Sequence, residues 1–292
     1  MNYNKFCAVL NKHIFEGEKK ELLIKLADRP GRFVGLFRPT KPRAKILQHL
    51  LQSHEIRFGD AMEELISKFL KDWGFKVLPK IIIPDPANPR KKLDIDQYFT
   101  DGETYYFIEQ KVRDDHDSTK KRGQISNFET KLEYLYRKHG QNLIGIMYFI
   151  DPDLVKNKNY YIEELDKMTD TYGVDLHLLY GKELFKFFNK LSVWNDLLSW
   201  LTQWKESLPE LPEINFDNVP RDSFNEIKYL EIRFWRKILE NEKLWEEGIM
   251  LAVFRNGETL RLLFEFFCRK TERAYQKLAE MIKQKLREYY ED

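Results

Sequence analysis

The sequence has few cysteines and no long apolar run, and each absence excludes a class of protein. Cys7 and Cys268 are the only cysteines, which is too few, and too widely spaced, for a disulfide framework. No apolar run approaches the roughly 18 residues of a membrane span, and residues 1–20 lack the continuous apolar stretch of a secretory signal. We therefore expect a cytoplasmic protein that does not enter a membrane.

The chain also lacks an excess of charge of either sign. Its 49 basic and 47 acidic residues give a formal net charge of +2, so the overall charge neither favours nor excludes a nucleic-acid partner, and only local clusters can indicate one. Hydrophobic residues make up 42% of the 292 residues. That is enough for one large domain, or for a catalytic core with a smaller appended one.

Apolar periodicity predicts helices towards both ends of the chain. Residues 60–73 place their apolar side chains on one helical face, and Gly74 follows at a usual helix-stop position. From about residue 184 onward there is no strand pattern, and residues 222–290 are predicted to be helical throughout. These ends would flank whatever sheet the middle of the chain forms.

The middle of the chain alternates strand and helix patterns, which is typical of an α/β fold with a mixed sheet. Strand patterns occur at 76–83, 93–112, 143–150 and 174–180. A polar loop is predicted at 114–124, followed by helices at 125–138 and about 160–170. We therefore predict three consecutive regions: a helical, basic region at 1–55, an α/β core at 56–190, and a helical region at 191–292.

One strand pattern carries a cluster of charged residues. Residues 94–111 are predicted to form two short strands joined by an Asp-Gly turn at 101–102. Residues two apart in a strand point to the same face, so Glu109 and Lys111 project together, and an acid from the first strand can lie beside them. Two carboxylates and an ammonium at a buried hairpin are costly unless they hold a metal ion.

An acid followed on the next strand by Glu-x-Lys resembles the active site of the PD-(D/E)xK nucleases. The chain resembles type II restriction endonucleases in particular, most strongly over residues 55–130. The resemblance implies a restriction-endonuclease-like core at 56–190, with a central mixed sheet flanked by helices, and a helical region at 191–292 that would serve dimerisation or DNA contact. It also implies a site that hydrolyses phosphodiester bonds with water activated by Mg2+, for which Mn2+ can substitute.

The resemblance assigns roles to residues of the hairpin. Divalent metal held by carboxylates can activate water and offset the charge of the phosphate, and Mg2+ needs only one or two carboxylates besides substrate and water. The implied metal ligands are Asp96, Glu109 and the backbone carbonyl of Gln110. Lys111 would orient the attacking water or help to deprotonate it.

The first acid of the motif has alternatives. We favour Asp96, because apolar residues continue directly from it into the hairpin, but Asp94 shares its face. Literal Pro-Asp pairs end at Asp85, in a proline-rich segment, and at Asp153, which follows Lys111 in the wrong order for the motif. Glu63, on the helix before the first strand, is a further catalytic candidate by resemblance, or else a solvated helix residue.

Polar residues directly after Lys111 are the first candidates for DNA contact. Hydroxyls, amides and cations at the edge of a site suit phosphate contact and base reading, although a solvated turn is the alternative. The candidates are Arg113, Ser118, Thr119, Lys120, Lys121, Arg122 and Gln124. His116, in the same segment, is more typical of a structural or DNA-contacting residue than of a metal ligand.

A basic stretch near the N-terminus is the second candidate DNA contact. Residues 29–57 carry seven basic residues and one acid, Glu55, which could neutralise several phosphates and make binding salt-dependent. The candidates are Arg38, Lys41 and Arg43. The alternative is a basic face that packs on acidic residues elsewhere in the fold.

Taken together, these features predict a sequence-specific endonuclease that cuts double-stranded DNA. By resemblance we expect a homodimer, because a two-fold protein matches a palindromic site, and a cognate DNA methyltransferase as genetic partner. The alternatives are a structure-specific nuclease of the same fold, in repair or recombination, and a non-catalytic DNA-binding module.

Overall fold

A computed structural model of the protein describes residues 1–85 and 88–291, and it describes only the backbone at residues 85 and 88–91. The chain forms two compact units that alternate along the sequence. The first comprises residues 1–10 and 58–208, and the second comprises residues 11–57 and 209–292.

Helices account for most of both units. The first helices are α1 (Tyr3–Ile14), α2 (Glu18–Asp28), α3 (Pro42–Asp72), α4 (Ser118–His139), α5 (Lys158–Tyr172), α6 (Lys182–Phe187) and α7 (Leu191–Glu206). The C-terminal helices are α8 (Pro220–Ile227), α9 (Ile232–Glu240), α10 (Glu242–Glu246), α11 (Ile249–Val253), α12 (Glu258–Cys268) and α13 (Arg273–Tyr290). Across residues 1–85 and 88–291, none is long and apolar enough to cross a membrane.

The first unit contains a mixed sheet. The strands are β1 (Lys76–Val77), β2 (Ile82–Asp85), β3 (Asn88–Asp94), β4 (Gln97–Thr100), β5 (Tyr105–Lys111), β6 (Leu143–Phe149) and β7 (Asp175–Tyr180). The five-stranded sheet has the order β1-β4-β5-β6-β7, while β2 and β3 form a separate hairpin. Strand β4 is antiparallel to β1 and β5, and β6 is parallel to β5 and β7. The predicted α/β fold with a mixed sheet is confirmed.

The predicted catalytic hairpin is the pair β4–β5. Gln97 lies opposite Ile108 and Thr100 opposite Tyr105. The connecting turn forms because the Asp101 carboxylate accepts hydrogen bonds from the backbone N–H groups of Glu103 and Thr104, at 3.0 and 2.8 Å. This closure fixes the register, so the ends of both strands lie side by side.

Strand β6 and helix α4 cover the hairpin with apolar side chains. Strand β6 is an almost continuously buried apolar run, as expected for a strand with parallel neighbours on both sides. Its Gly145 allows close packing, because a Cβ atom there would lie 2.6 Å from the Phe107 ring and 2.7 Å from Leu176. Phe107 packs in turn on the buried Phe128 of α4. Helix α4 is thereby held against the face of β5.

Two local predictions were wrong. The strand predicted at 76–83 is broken into β1 and β2, since Pro79 has no backbone N–H to donate to a ladder. The loop predicted at 114–124 ends early, because α4 begins at Ser118. Asp117 caps this helix by accepting hydrogen bonds from Thr119 N and Lys120 N, at 3.0 and 2.8 Å.

The second unit is a helical bundle with an aromatic core. Trp235 and Trp245 are fully buried there, and the indole N–H of Trp245 donates to the carbonyl of Ile238 at 3.1 Å. The unit joins residues 11–57 to the C-terminal helices, whereas α7 belongs to the first unit. This grouping differs from the three consecutive regions predicted from the sequence, because apolar faces pack together in space whatever their order along the chain.

Candidate active site

Three of the predicted catalytic side chains meet at the ends of β4 and β5. Asp96 directly precedes β4, and Glu109 and Lys111 end β5. Lys111 Nζ lies 3.3 Å from Asp96 Oδ2 and 2.8 Å from Glu109 Oε1. Asp96 is also tied to the neighbouring strand, since its Oδ2 accepts a hydrogen bond from Gln110 N at 2.8 Å. The hairpin therefore holds both acids and the ammonium in one cluster.

A backbone oxygen completes this cluster. The carbonyl of Gln110 accepts a hydrogen bond from Lys111 Nζ at 2.8 Å. The three oxygen donors that the sequence predicted as metal ligands, from Asp96, Glu109 and Gln110, thus converge on one cation, the Lys111 ammonium. The Gln110 side chain is buried, and its Oε1 has no hydrogen-bond partner among the described residues.

A second lysine, which the sequence analysis missed, contacts the same acid. Lys131 of α4 is 4% exposed, and its ammonium pairs with Glu109 Oε2. The signal was present in the sequence, because Lys131 lies three residues after Phe128 and four before Leu135, on the apolar face of the helix. Each carboxylate oxygen of Glu109 therefore faces a different ammonium.

The charges of the cluster depend on one another. Burial raises the pKa of Asp96, and the neighbouring Glu109 carboxylate adds to the rise. Burial also acts to raise the pKa of Glu109, but Lys111 and Lys131 outweigh it and the net pKa is lowered. Burial acts to lower the pKa of Lys111, yet the two carboxylates outweigh it and raise that pKa. Lys111 is therefore a cation that can orient a water molecule, and a poor general base.

Glu63, the fourth catalytic candidate, lies in the electrostatic field of this cluster. Burial, followed by the charge of Asp96, raises the pKa of Glu63 to about 7. Its backbone carbonyl accepts a hydrogen bond from the Gln97 amide at 2.8 Å, which links α3 to β4. The carboxyl is half-buried, so it is not the freely solvated helix residue of the alternative interpretation.

The rival acids lie elsewhere. Asp94 ends β3 and pairs with Lys80 at 3.4 Å, with a side chain that is 47% exposed. Asp153 is exposed in the turn after β6. The side chain of Asp85 lies outside the described residues. The geometry therefore brings Asp96, and not Asp94, to Glu109 and Lys111.

The donor set suits a hard divalent cation. In the part of the chain that the structure describes, no group of three or more His, Cys, Asp or Glu side chains is arranged to hold a metal ion. The cluster offers two carboxylates and one carbonyl, and these all-oxygen donors fit Mg2+, which keeps several waters and needs few protein ligands. Their convergence on one ammonium indicates that they can face a single cation.

Most of the polar residues that follow Lys111 lie on the first turns of α4. Ser118, Thr119, Lys120 and Arg122 are exposed, while Arg113 precedes the helix and is half-buried. The remaining two candidates are engaged within the unit: Lys121 Nζ lies 4.4 Å from the centroid of the Tyr160 ring, and Gln124 Oε1 accepts from Tyr161 OH at 2.5 Å. Gly123 is a helical residue, and does not shape a loop.

A buried carboxylate holds the segment between Lys111 and α4. Asp114 is fully buried and accepts hydrogen bonds from Asn157 N at 2.8 Å, Asn157 Nδ2 at 2.7 Å and Tyr180 OH at 2.9 Å. These partners lie beyond the end of β6 and at the end of β7. His116 lies in the same segment, where its carbonyl accepts from Asn157 Nδ2 at 3.2 Å. Asp114 thus ties the segment to the ends of β6 and β7.

In the second unit, the basic stretch divides into exposed and paired residues. Arg38, Lys41 and Arg43 are exposed. Arg57 is instead buried, pairing with Glu21 at 2.6 Å and donating to the carbonyl of Ile14 at 2.7 Å. The alternative of a basic face packed on acids thus describes Arg57, while the other three residues can reach a ligand.

Comparison with known proteins identifies the family. The model of the family described as type II restriction endonuclease, HinfI, matches residues 2–80 and 74–205. Together these matches cover more than half of the chain and include Asp96, Glu109, Lys111 and α4. No curated protein matches the sequence. The chain belongs to the HinfI family of type II restriction endonucleases.

Proposed function

We propose that this protein is a sequence-specific endonuclease that hydrolyses phosphodiester bonds of double-stranded DNA with metal-activated water. The observation that carries the proposal is the convergence of oxygens from Asp96, Glu109 and Gln110 on the Lys111 ammonium. Family membership supports the nuclease activity, and the chemistry of these donors supports Mg2+ or Mn2+ as the cofactor.

The chain's own residues would divide the work as follows. Asp96, Glu109 and the Gln110 carbonyl would hold the metal, which would supply a Lewis acid and lower the pKa of bound water. Lys111 orients the attacking water and offsets the negative charge that develops on the phosphate. Lys131 fixes the Glu109 carboxylate from the opposite side, as outer partners of metal ligands commonly do.

We propose that both units contact DNA. In the first unit the exposed start of α4, with Ser118, Thr119, Lys120 and Arg122, supplies hydroxyls and cations. In the second unit Arg38, Lys41 and Arg43 supply cations. Phosphate contacts would position the duplex, and base-edge contacts would select the sequence. A homodimer would cut both strands of a palindromic site, and a methyltransferase would protect the host's copies.

The most direct test is digestion of unmethylated phage DNA with Mg2+, followed by sequencing of the ends. Cutting of intact duplex at discrete positions is expected, with no cutting in excess EDTA, and Ca2+ is expected to support binding without cutting because it acidifies bound water less. Cutting of branched or flapped DNA alone would favour a repair nuclease. Persistent activity in EDTA would contradict the metal mechanism.

A further inference from the structure

Two apolar side chains in the second unit are almost completely exposed. Leu36 is 93% and Phe37 is 97% exposed, the highest values among the large hydrophobic residues that the structure describes. The next highest are Tyr229 at 70% and Ile56 at 69%. A single exposed leucine is common on protein surfaces and needs no explanation. Two adjacent large apolar side chains that are both almost fully exposed are unusual, because their contact with water is unfavourable.

The two residues form the tip of a tight turn. Arg38 N donates a hydrogen bond to the carbonyl of Gly35 at 3.2 Å, so Leu36 and Phe37 occupy the corner positions. Gly35 has φ of 129°, a value that L side chains rarely adopt. The turn is therefore built to project its two corner side chains.

The base of the turn is anchored. Phe33 and Val34 are buried in the core of the unit, and Gly35 N donates to Glu247 Oε2 at 3.0 Å. On the other side, Arg38 Nη2 donates to the carbonyl of Gly31 at 2.6 Å. These hydrogen bonds hold the turn on both sides. The exposed positions of Leu36 and Phe37 are therefore set by the fold.

The residues that flank the tip in sequence are rich in exposed cations. Arg32, Arg38, Lys41 and Arg43 are exposed, and residues 29–53 contain no acidic residue. The nearby carboxylate, Glu247, is engaged at the base of the turn with Gly35 N. The partner of this surface must therefore present anionic groups around a place that accepts an apolar side chain. Duplex DNA does so, since its phosphates flank stacked bases.

We propose that Leu36 and Phe37 form a wedge that enters between stacked base pairs of the DNA, while the surrounding cations contact phosphates. The inference rests on the proposed function and extends it, because it assigns a role in deforming DNA to residues outside the catalytic unit. Apolar wedges of this kind unstack a base step and kink the duplex, and the cost depends on the sequence of the step. The wedge would thereby contribute to site selection without hydrogen bonds to bases.

A second copy of the chain fits the surface less well. In a two-fold interface the same patch meets its own copy, so the cations around one tip would face the cations around the other. Like charges facing each other across an interface disfavour association. Two side chains also supply little of the roughly 1,000 Å² that a stable interface buries.

The test uses the full chain and duplexes that carry 2-aminopurine at successive positions, with Ca2+ present to prevent cutting. A base that is unstacked by the wedge should give brighter fluorescence when the wild-type protein binds. Phe37→Ala should abolish this signal and weaken binding about tenfold, whereas Phe37→Trp should keep it. Tyr229→Ala, which removes an exposed aromatic from the same unit, is the matched control and should change neither quantity.

Salt dependence separates the wedge from a phosphate contact. Phe37→Ala removes no charge, so the slope of log affinity against log salt should stay the same, while Arg43→Ala, which removes an exposed cation that does not anchor the turn, should lower it by about one unit. Because Phe37 touches solvent, its substitutions should leave the thermal melting temperature unchanged. A Phe37→Ala protein with wild-type fluorescence and affinity would overturn the wedge.

The other outcomes are also informative. If Phe37→Ala changes the mass of the DNA-free protein in sedimentation equilibrium, the tip is a contact between copies and the wedge is wrong. If the wild type cuts discrete sites but gives no fluorescence change at any position, the wedge fails while the proposed function stands. If the wild type brightens 2-aminopurine but cuts no DNA, the proposed catalytic function fails and the wedge stands.

Discussion

The catalytic hairpin of the first unit and the Gly35–Arg38 turn of the second depart from ordinary burial in opposite directions. The hairpin buries Glu109 and partly buries Asp96 and Lys111, whereas the turn exposes Leu36 and Phe37. Charged side chains are almost never fully buried unless paired, and an exposed apolar pair is costly in water. For both departures, the DNA substrate that we propose would supply a reason.

The two departures are stabilised differently. Around Glu109, each carboxylate oxygen has its own ammonium, so the buried charges offset one another. Around Leu36 and Phe37, the stabilisation comes from beneath the exposed tip, where Phe33 and Val34 are buried and Gly35 N donates to Glu247. Substitutions in the hairpin should therefore affect both chemistry and stability. Substitutions of Leu36 or Phe37 should affect only the binding and deformation of DNA.

The largest effect is expected from the three catalytic side chains. Asp96→Ala, Glu109→Ala and Lys111→Ala should each reduce the cleavage rate by roughly three orders of magnitude or more, because groups that act as one unit fail together. Single-turnover cleavage of a mapped site measures the reduction, with binding in Ca2+ measured in parallel. Glu109→Gln, which keeps the volume of the side chain, separates the effect of charge from the effect of misfolding.

Asp94→Ala is the matched control for the choice of acid. Asp94 is two residues from Asp96 but pairs with Lys80 on the surface, so its removal should leave cleavage close to wild type. Wild-type turnover in a folded Glu109→Gln protein would contradict the assignment of the site. An inactive Asp94→Ala protein would show that the wrong acid was chosen.

A smaller effect is expected from Lys131, which acts through Glu109. Lys131→Met should lower cleavage about 10–100-fold, the usual cost of removing an outer partner of a metal ligand, and should destabilise the fold because Glu109 loses one of its two partners. Lys131→Arg should restore part of the cleavage rate and part of the stability. A merely structural lysine would lower stability without slowing cleavage at a temperature where the protein is folded, and that result would exclude the positioning role.

The sequence predicted the architecture around β5 well, because the relevant signals are local. The Asp-Gly turn, the two-residue spacing of Glu109 and Lys111, and the apolar run of β6 each follow from short-range geometry. The start of α4 was missed because Gly123 lowers helix propensity, and because the third residue after Asp117 is a lysine and not the glutamate of a capping box. Asp117 itself could have been recognised from the sequence as an N-cap residue.

Other features could not be predicted because they depend on tertiary contacts. The apolar spacing places Lys131 on the buried face of α4, but only the packing of that helix on β5 shows that Glu109 is its partner. Leu36 and Phe37 follow two apolar residues, and a run of four apolar residues interrupted only by Gly35 reads as core. Their exposure follows from the anchoring of Gly35 by Glu247, 212 residues away in sequence.

A moderate effect on affinity is expected at the start of α4. Lys120→Ala and Arg122→Ala should weaken binding to every duplex, and each should lower the salt slope by about one unit for every phosphate that the side chain neutralises. Lys167→Ala is the control, since Lys167 is an exposed lysine of the same unit that pairs with Glu164. If Arg122 contacts a base edge, Arg122→Ala should also relax the preference for one base at one position of the DNA site. The planar guanidinium group of arginine suits such a contact, because it can donate two parallel hydrogen bonds.

Fluorescence anisotropy across a series of salt concentrations, on a mapped site and on a random duplex, measures both the affinity and the slope. Unchanged affinity and slope in both variants would mean that the start of α4 is only a solvated surface. The cations of the second unit would then have to supply the phosphate contacts of the protein.

The smallest effect is expected on stability, at Glu63. Burial and the nearby Asp96 raise its pKa in the folded protein to about 7, from an ordinary value of 4.5. The folded state thus holds this proton more tightly than the unfolded state, so the carboxyl destabilises the fold as pH rises above about 4.5, and fully so above about 7. Glu63→Gln should raise the melting temperature at pH 8 in EDTA by roughly a few degrees, and the gain should vanish below about pH 4.5.

The same variant should cleave more slowly if the carboxylate serves catalysis, a trade of stability for activity that is common at active sites. A melting temperature that stays at the wild-type value from pH 4 to pH 8 would mean that the Glu63 carboxyl is solvated and does not belong to the buried cluster of Asp96, Glu109 and Lys111.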